Sequence, residues 1–243
     1  MSAKLNLPQF LRIRAEQLAI NLEQLLNNED LENNVNWSAN QWSNAKSEVQ
    51  CAADAIIVRK TRANDYEILM IKRSFAPFKN GLALPGGLRD FGESLQQTAQ
   101  REMEEETGIS ALECLNQRML GEIESRDWDP RFAKGVNLVG VRFDVPENIH
   151  FKAGDDAESV HWVSVAELAH GVHQLAFVHS YWLMLAFKDE PSLVERFAVL
   201  TQVLRWRNQF IIHLVNQKRQ EIFAEQAVLF DNLGDPNTPY QLK

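Results

Sequence analysis

Two linked segments decide how this chain is interpreted: Gly87-Leu88-Arg89-Asp90-Phe91-Gly92-Glu93-Ser94 and Arg101-Glu102-Met103-Glu104-Glu105-Glu106-Thr107-Gly108-Ile109. Residues 94–106 contain no proline or glycine, which predicts a helix. Glu102, Glu105 and Glu106 are three and four positions apart, so they lie on one face of that helix. Three like charges destabilise a helix unless a cation compensates them. Carboxylate oxygens are ligands that suit Mg²⁺ or Mn²⁺, so the pattern indicates a metal site.

The spacing of these segments matches the Nudix box, G-x5-E-x7-R-E-U-x-E-E-x-G-U with U an aliphatic residue, at every specified position. The first glycine is Gly87, the first glutamate is Glu93 and the arginine is Arg101. Met103 and Ile109 fill the two aliphatic positions. By this resemblance the chain is identified as a member of the Nudix superfamily.

The resemblance implies an α+β fold, the Nudix α/β/α sandwich around a mixed sheet, with helical extensions at both ends. Hydrophobic patterns predict strands at 52–59, 66–73, 112–123, 136–145 and 160–163. They predict helices at 1–30, 94–106, 165–169, 181–187, 192–217 and 218–230, with an Asn-rich connector at 27–48. We therefore expect a helical extension and connector at 1–48, a Nudix domain at 49–187 and a helical region at 188–243.

The chemistry implied by the resemblance is metal-assisted attack of water on a phosphorus of a nucleoside diphosphate linked to another group. Mg²⁺ or Mn²⁺ would be held by Glu102, Glu105, Glu106 and the carbonyl of Gly86. Glu93 and Arg101 would mainly hold the box together.

Segments outside the box resemble ADP-ribose pyrophosphatases of NAD metabolism. These segments are 73–85, 125–131, 154–158 and 175–179. The second is similar to an S-R-D-P-R segment but carries an inserted Trp128-Asp129, and the last has Val178 where aspartate is more usual. The resemblance implies hydrolysis of ADP-ribose to AMP and ribose 5-phosphate.

Substrate-binding candidates follow from the same segments. Arg126 or Arg131 could hold a diphosphate through a charge-assisted fork. Phe75 or Phe78 could stack a base or line its pocket, and Gly87 lets the backbone approach a ligand. Surface ion pairs for the arginines and core packing for the phenylalanines are the competing interpretations.

A general base usually comes from a separate loop in this superfamily. The candidates are Asp155, Asp156 and Glu158, which lie in an acidic loop before a strand, and Glu124. His179 is a candidate for substrate contact, although a single histidine on a helical segment more often has a packing role.

Composition limits the cellular setting. The formal net charge is 25 minus 33, or −8, which disfavours a DNA- or RNA-binding role. The first residues lack the apolar stretch of a signal peptide, and no apolar run approaches the roughly 20 residues of a membrane span. Cys51 and Cys114 form no metal-type spacing. We expect a cytoplasmic protein with reduced thiols and no membrane partner.

Three alternatives remain open at this stage. Some proteins close to these hydrolases are ADP-ribose-sensing transcriptional regulators with a C-terminal winged helix. Within the enzyme class, the substrate could instead be a nucleotide sugar, a dinucleotide such as NADH, or a nucleoside triphosphate. The apolar stripe formed by Leu193, Phe197, Leu200, Val203 and Leu204 could serve assembly, and we expect a homodimer.

Overall fold

The computed structural model describes residues 6–26, 31–42, 49–132, 135–154 and 157–232, with the backbone alone for 41–42, 157–158 and 225–232. The strands in chain order are β1 Gln50–Lys60, β2 Tyr66–Arg73, β3 Leu82–Ala83, β4 Gly86–Leu88, β5 Asn116–Ser125, β6 Val136–Val145 and β7 Ala157–Ser164. The helices are α1 Gln9–Gln17, α2 Leu22–Leu26, α3 Leu31–Trp42, α4 Leu95–Thr107, α5 Val165–Ala169, α6 Ser180–Ala186 and α7 Pro191–Asn232. A short 3-10 helix, Ala111–Glu113, precedes β5.

The strands form one mixed sheet, as the α+β prediction requires. Its order is β3-β2-β1-β6-β5, with β4 paired to β1 and β7 paired to β2. The β1–β6 pair is parallel, whereas the β1–β2, β1–β4, β2–β7 and β5–β6 pairs are antiparallel. Buried apolar side chains dominate β1 and the centre of β2, so these two strands form part of the core.

The box helix α4 packs against β1, β4 and β6. Its start is a capping box in which the Ser94 hydroxyl accepts from the Gln97 backbone N–H and the Gln97 side chain accepts from the Ser94 N–H. Its end is Gly108, whose φ of 70° is the left-handed conformation typical of a glycine cap. Met103 and Ala99 face the core, which leaves the acidic face toward β4 and solvent.

The N-terminal region differs from the prediction. The expected helix over 1–30 is two helices, because α1 ends at Gln17 and Ala19 takes a positive φ of 52° before α2. The Asn-rich connector contains a helix, α3, which packs against α7. Tertiary packing therefore overrides the weak helix propensity of its asparagines.

The C-terminal region is one continuous helix, α7, rather than the two helices predicted. It packs against α1, α3, α5 and α6. The predicted stripe is buried inside the chain, with Phe197, Leu200, Val203 and Leu204 fully buried, so these residues belong to the core and do not supply an assembly surface. Within 188–232 the structure describes helix and no strand pair that could form a wing. None of the helices described combines the length and apolar composition needed to cross a bilayer.

Candidate active site

A pocket opens beside β1 where that strand changes partner. Residues 58–60 of β1 pair with β2, whereas residues 52–54 pair with β4. The pocket is lined by β1, β2, β4, the 128–132 loop and the 177–179 segment. Chain segments that are far apart in sequence therefore meet around the start of the Nudix box.

Gly86 and Gly87 allow β4 to lie directly against two carboxylates. A Cβ atom on Gly86 would lie 2.5 Å from Asp54 Oδ1 and 2.6 Å from the Ala53 carbonyl oxygen. A Cβ on Gly87 would overlap the Glu102 carboxylate. Both positions require glycine, because the β4 backbone lies too close to these neighbours for a side chain to fit. Both glycines also line the pocket.

Arg101 joins several parts of the box. Its Nε donates to Glu93 Oε1 at 2.8 Å, and its Nη1 donates to Glu102 Oε1 at 2.8 Å and to Glu105 Oε2 at 2.9 Å. Its Nη2 donates to the Leu88 carbonyl at 2.9 Å. The hydrogen bonds from Arg101 lower the pKa of Glu93 to about 2 and raise the pKa of Arg101 itself.

The carboxylates of Glu106, Glu102 and Asp54 lie near one another, with Asp54 buried and the two glutamates partly buried. Glu106 Oε2 accepts from the Gly86 N–H at 3.0 Å, and burial with the nearby charge of Glu102 raises the Glu106 pKa to about 8. Burial raises the pKa of Asp54 to about 7, although the Trp182 hydrogen bond opposes this shift. Burial also raises the pKa of Glu102. Ionisation of the group is therefore disfavoured unless a positive charge compensates it.

This donor set suits a hard divalent cation by its chemistry. Its carboxylates are buried or partly buried, and each ionised carboxylate disfavours ionisation of the others, an effect that a bound cation would reverse. No three acidic, histidine or cysteine side chains in the described ranges already converge on a single point. The reason is that Glu106 is directed to Gly86, while Glu102 and Glu105 share the Nη1 of Arg101. The residues that could hold a metal are Glu102, Glu105 and Glu106, with rearrangement of these hydrogen bonds.

Asp54 is a site residue that the sequence reasoning missed. Its Oδ2 accepts from the Trp182 indole N–H at 2.8 Å, and its Oδ1 lies 3.8 Å from His179 Nε2. The available signal was a charged residue inside the apolar run of β1. Asp54 lines the pocket behind the box glycines.

His179 lines the pocket, where its contacts give it a structural role in the pocket wall. Its Nδ1 accepts from the Leu84 N–H at 3.0 Å, and its ring packs against Phe177 and Trp128. Burial lowers its pKa to about 3, so the imidazole is neutral at pH 7. These contacts hold the segment that leads into β4.

Two arginines line the pocket. Arg131 was predicted, and its guanidinium pairs with the Asp129 carboxylate. Arg73, at the end of β2, was not predicted as a site residue. Its burial, and to a smaller extent the positive charge of Arg131, lowers its pKa to about 10. Arg126 lies instead in a separate groove with Glu124, away from the box. Arg126 was predicted as a candidate for holding the diphosphate, but the structure places it outside this pocket.

The two predicted phenylalanines do not line the pocket. Phe75 is exposed, whereas Phe78 is buried, with the Arg207 guanidinium 4.4 Å from its ring centroid and an edge contact to Phe177. Because Phe78 is only 2% exposed and does not line the pocket, the structure agrees with the competing interpretation of core packing rather than with base stacking. Phe177 is the phenylalanine that lines the pocket, together with Phe132.

The candidates for a general base can be placed only in part. Asp155 and Asp156 lie outside the described residues, and Glu158 lies on β7 with its side chain outside them. The loop that carries them starts against the box helix, because the Gly154 N–H donates to the Glu106 carbonyl at 3.0 Å. Glu124 lines the separate groove.

Comparison with known protein families identifies the domain that carries this pocket. The model of the NUDIX domain family matches residues 50–185, which is more than half of the chain. The chain belongs to the Nudix family. With its complete box, this Nudix protein is a pyrophosphatase, a hydrolase of phosphoanhydride bonds.

Individual Nudix proteins also resemble this Nudix protein. It is 37% identical over 128 residues to an ADP-ribose pyrophosphatase of Methanocaldococcus jannaschii, covering 53% of this chain and 67% of that protein. It is 33% identical over 126 residues to a putative nudix hydrolase 6 of Caenorhabditis elegans, covering 47% of each. The chain thus spans about two thirds and about half of these relatives. A MutT/nudix family protein from Enterococcus faecalis has a TM-score of 0.51 at 26% identity, covering 63% of this chain and 68% of that one.

Proposed function

We propose that this Nudix hydrolase cleaves ADP-ribose to AMP and ribose 5-phosphate with Mg²⁺ or Mn²⁺. The observation that carries the proposal is a pocket lined by two arginines, Arg73 and Arg131, and by the box glycine Gly87 with its neighbour Gly86. The carboxylates of Glu102 and Glu106 lie directly against these two glycines. The 37% identity to an ADP-ribose pyrophosphatase supports the choice of substrate.

The reaction is hydrolysis of the diphosphate. The water oxygen forms a bond to one phosphorus, the bond from that phosphorus to the bridging oxygen breaks, and the proton of water passes to a base. When bound, the divalent cation neutralises phosphate charge and lowers the pKa of the attacking water. Arg101 and Glu93 keep the box in register, and the glycines of β4 let the substrate approach its backbone.

For the general base we favour Asp156 or Glu158. The support for this choice is that Gly154, two residues before Asp156, donates its backbone N–H to the Glu106 carbonyl near the end of α4. Asp156→Asn and Glu158→Gln should separate the two, because the variant that lacks the base loses kcat and the pH dependence assigned to that base.

The test of the substrate is a hydrolysis panel with Mg²⁺ and with Mn²⁺. It contains ADP-ribose, NADH, a dinucleoside polyphosphate, a nucleotide sugar and the common nucleoside triphosphates. We expect ADP-ribose to have the highest kcat/KM and to give AMP and ribose 5-phosphate. If another member is cleaved while ADP-ribose stays intact, the substrate assignment is wrong.

Further proposals concern the oligomeric state, the cellular location and the partners of the protein. We propose a cytoplasmic homodimer that binds a small-molecule nucleotide and no nucleic acid or membrane. The division into 1–48, 49–187 and 188–243 also stays a prediction, although the helices of all three parts contribute to one core. Light scattering after size-exclusion chromatography at micromolar concentration tests the dimer, and a monomeric mass would contradict it.

A further inference from the structure

Arg131 is already occupied by a carboxylate. Its Nε lies 2.9 and 3.0 Å from the two Asp129 oxygens, and its Nη2 lies 2.5 Å from Asp129 Oδ2. The Arg131 backbone N–H also donates to Asp129 Oδ1 at 2.9 Å. The Asp129 side chain is only 6% exposed. An incoming phosphate would therefore compete with a buried carboxylate for the Arg131 guanidinium.

Arg73 has a different set of partners in the same pocket. Its Nε donates to the Pro77 carbonyl at 2.8 Å, and its guanidinium carbon lies 4.8 Å from the centroid of the Phe177 ring. Among the described residues no carboxylate lies within 4.0 Å of it, and neither terminal nitrogen makes a hydrogen bond in that part of the chain. Stacking on Phe177 fixes the plane of the guanidinium while leaving these nitrogens available.

The charges near Arg73 do not pair with it directly. Arg73 and Arg131 lie close enough to repel one another, while the carboxylates of Asp129 and Glu106 attract Arg73. Asp129 is held by Arg131, and Glu106 accepts from the Gly86 N–H. The terminal nitrogens of Arg73 therefore stay available to an anion.

We propose that Arg73 is the arginine that binds the substrate's phosphate, and that Asp129 restrains Arg131 from this role. Arg73 is then a substrate-binding residue, and Asp129 is a specificity-determining residue that limits the pocket to one available arginine. The inference rests on the proposed function for the choice of a diphosphate ligand.

The test is binding measured by isothermal titration calorimetry in EDTA, with ADP-ribose and with ADP as probes. Hydrolysis does not interfere without metal, and ADP presents a diphosphate without the terminal ribose. We expect Arg73→Gln to raise the Kd of both probes by about 10-fold or more, and Arg73→Lys to raise it less. We expect Asp129→Asn to lower both Kd values by about 3-fold or more because it releases Arg131. Adding Arg131→Gln to Asp129→Asn should remove that gain.

The matched control is Arg62→Gln, at a 94% exposed arginine that pairs with Glu147 away from the pocket. It should bind both probes as the unmodified protein does, and thermal unfolding should show that every variant is folded. Wild-type affinity in Arg73→Gln, weaker binding in Asp129→Asn, or no binding by the unmodified protein would each overturn the inference. If Arg73→Gln weakens ADP while ADP-ribose is bound no better than ADP, the inference about Arg73 stands and the proposed substrate fails.

Discussion

Glu106 shows how a single box residue combines structural and chemical roles. It accepts the Gly86 N–H and lies beside Glu102 with a pKa raised to about 8. Replacing it by glutamine keeps the acceptor and the volume but removes the negative charge. The two functions can therefore be separated by this substitution.

We predict that Glu106→Gln lowers kcat by at least about 100-fold while the protein stays folded, because an anionic metal ligand is lost. Steady-state kinetics with Mg²⁺ and circular dichroism measure the two effects. Glu104→Gln is the control, since Glu104 is the exposed neighbour at an unspecified box position. Full turnover by Glu106→Gln would show that Glu106 is not a ligand.

Asp54 makes the metal-free protein sensitive to pH. Its pKa is about 7 in the folded state and 3.8 when unperturbed. Between these values the folded state holds a proton that the unfolded state has lost, so stability is greatest at low pH and falls as the pH rises toward 7. One such group changes the free energy of unfolding by at most about 1.4 kcal/mol per pH unit.

We predict that Asp54→Asn makes this dependence shallower between pH 4 and pH 7, since asparagine can still accept the Trp182 N–H but cannot ionise. Urea unfolding in EDTA at several pH values gives the slope, and the comparison is the difference from the unmodified protein because Glu106 also contributes. Asp65→Asn, in the exposed β1–β2 turn, is the control. Equal slopes for Asp54→Asn and the unmodified protein would refute the account.

The residues of the box could be predicted because their spacing along one helix is visible in the sequence. Asp54 and Arg73 could not be predicted in this way, because they lie on β1 and β2. These strands come together with the box because β1 pairs with β2 at one end and with β4 at the other. The sequence next to these two residues contains no motif that marks a site, apart from the charge of Asp54 within an apolar strand. The choice between base stacking and core packing for Phe78 could not be made from the sequence, because its partner Arg207 lies 129 positions further along the chain.

At the scale of elements, α6 is held against the sheet by a close contact with one glycine. Gly140 of β6 faces Trp182, and a Cβ there would lie 2.5 Å from Trp182 Cδ2 and 2.6 Å from Cε3. The neighbouring position on β5, Gly121, is the register partner of Gly140. A Cβ on Gly121 would meet only Leu185 Cδ1, at 3.9 Å.

We predict that Gly140→Ala destabilises the protein by about 1–3 kcal/mol through overpacking against Trp182. Gly121→Ala should change stability by no more than about 0.5 kcal/mol, because its new methyl group makes an ordinary contact. Chemical denaturation at pH 7 compares the two. Similar losses in both variants would contradict the importance of the Trp182 contact.

The elements predicted best are those defined by their own side-chain pattern. Strands β2 and β6 have the bounds that the sequence predicted, since each is a hydrophobic run between clear turn signals. The helix α3 was missed because its sequence is rich in asparagine and its stability comes from packing on α7. Propensity alone does not contain that contribution.

At the scale of the whole molecule, α7 completes the core that the sheet begins. Its residues Phe197, Leu200 and Leu204 are fully buried, and Asn208 donates to the Trp128 carbonyl at 2.9 Å. Arg207 donates to the carbonyls of Leu175 and Phe177, next to the pocket. The C-terminal helix thus supports the pocket wall as well as the core.

We predict that Phe197→Ala costs about 3–5 kcal/mol in the free energy of unfolding, as expected for removing a buried aromatic ring. Phe223→Ala on the same helix should cost less than about 1 kcal/mol, because that ring is 54% exposed. Thermal and urea unfolding give both values. A mild effect of Phe197→Ala would mean that α7 is dispensable for the core.

The pairing of two indole rings beside the pocket also gives the protein a built-in optical reporter. Trp128 lines the pocket, and its ring centroid lies 5.7 Å from that of Trp182, whose N–H is held by Asp54. Chromophores this close couple their electronic transitions, so their near-ultraviolet dichroism and fluorescence depend on their mutual geometry. A nucleotide entering beside Trp128 would alter both signals, allowing occupancy to be followed in real time without a label.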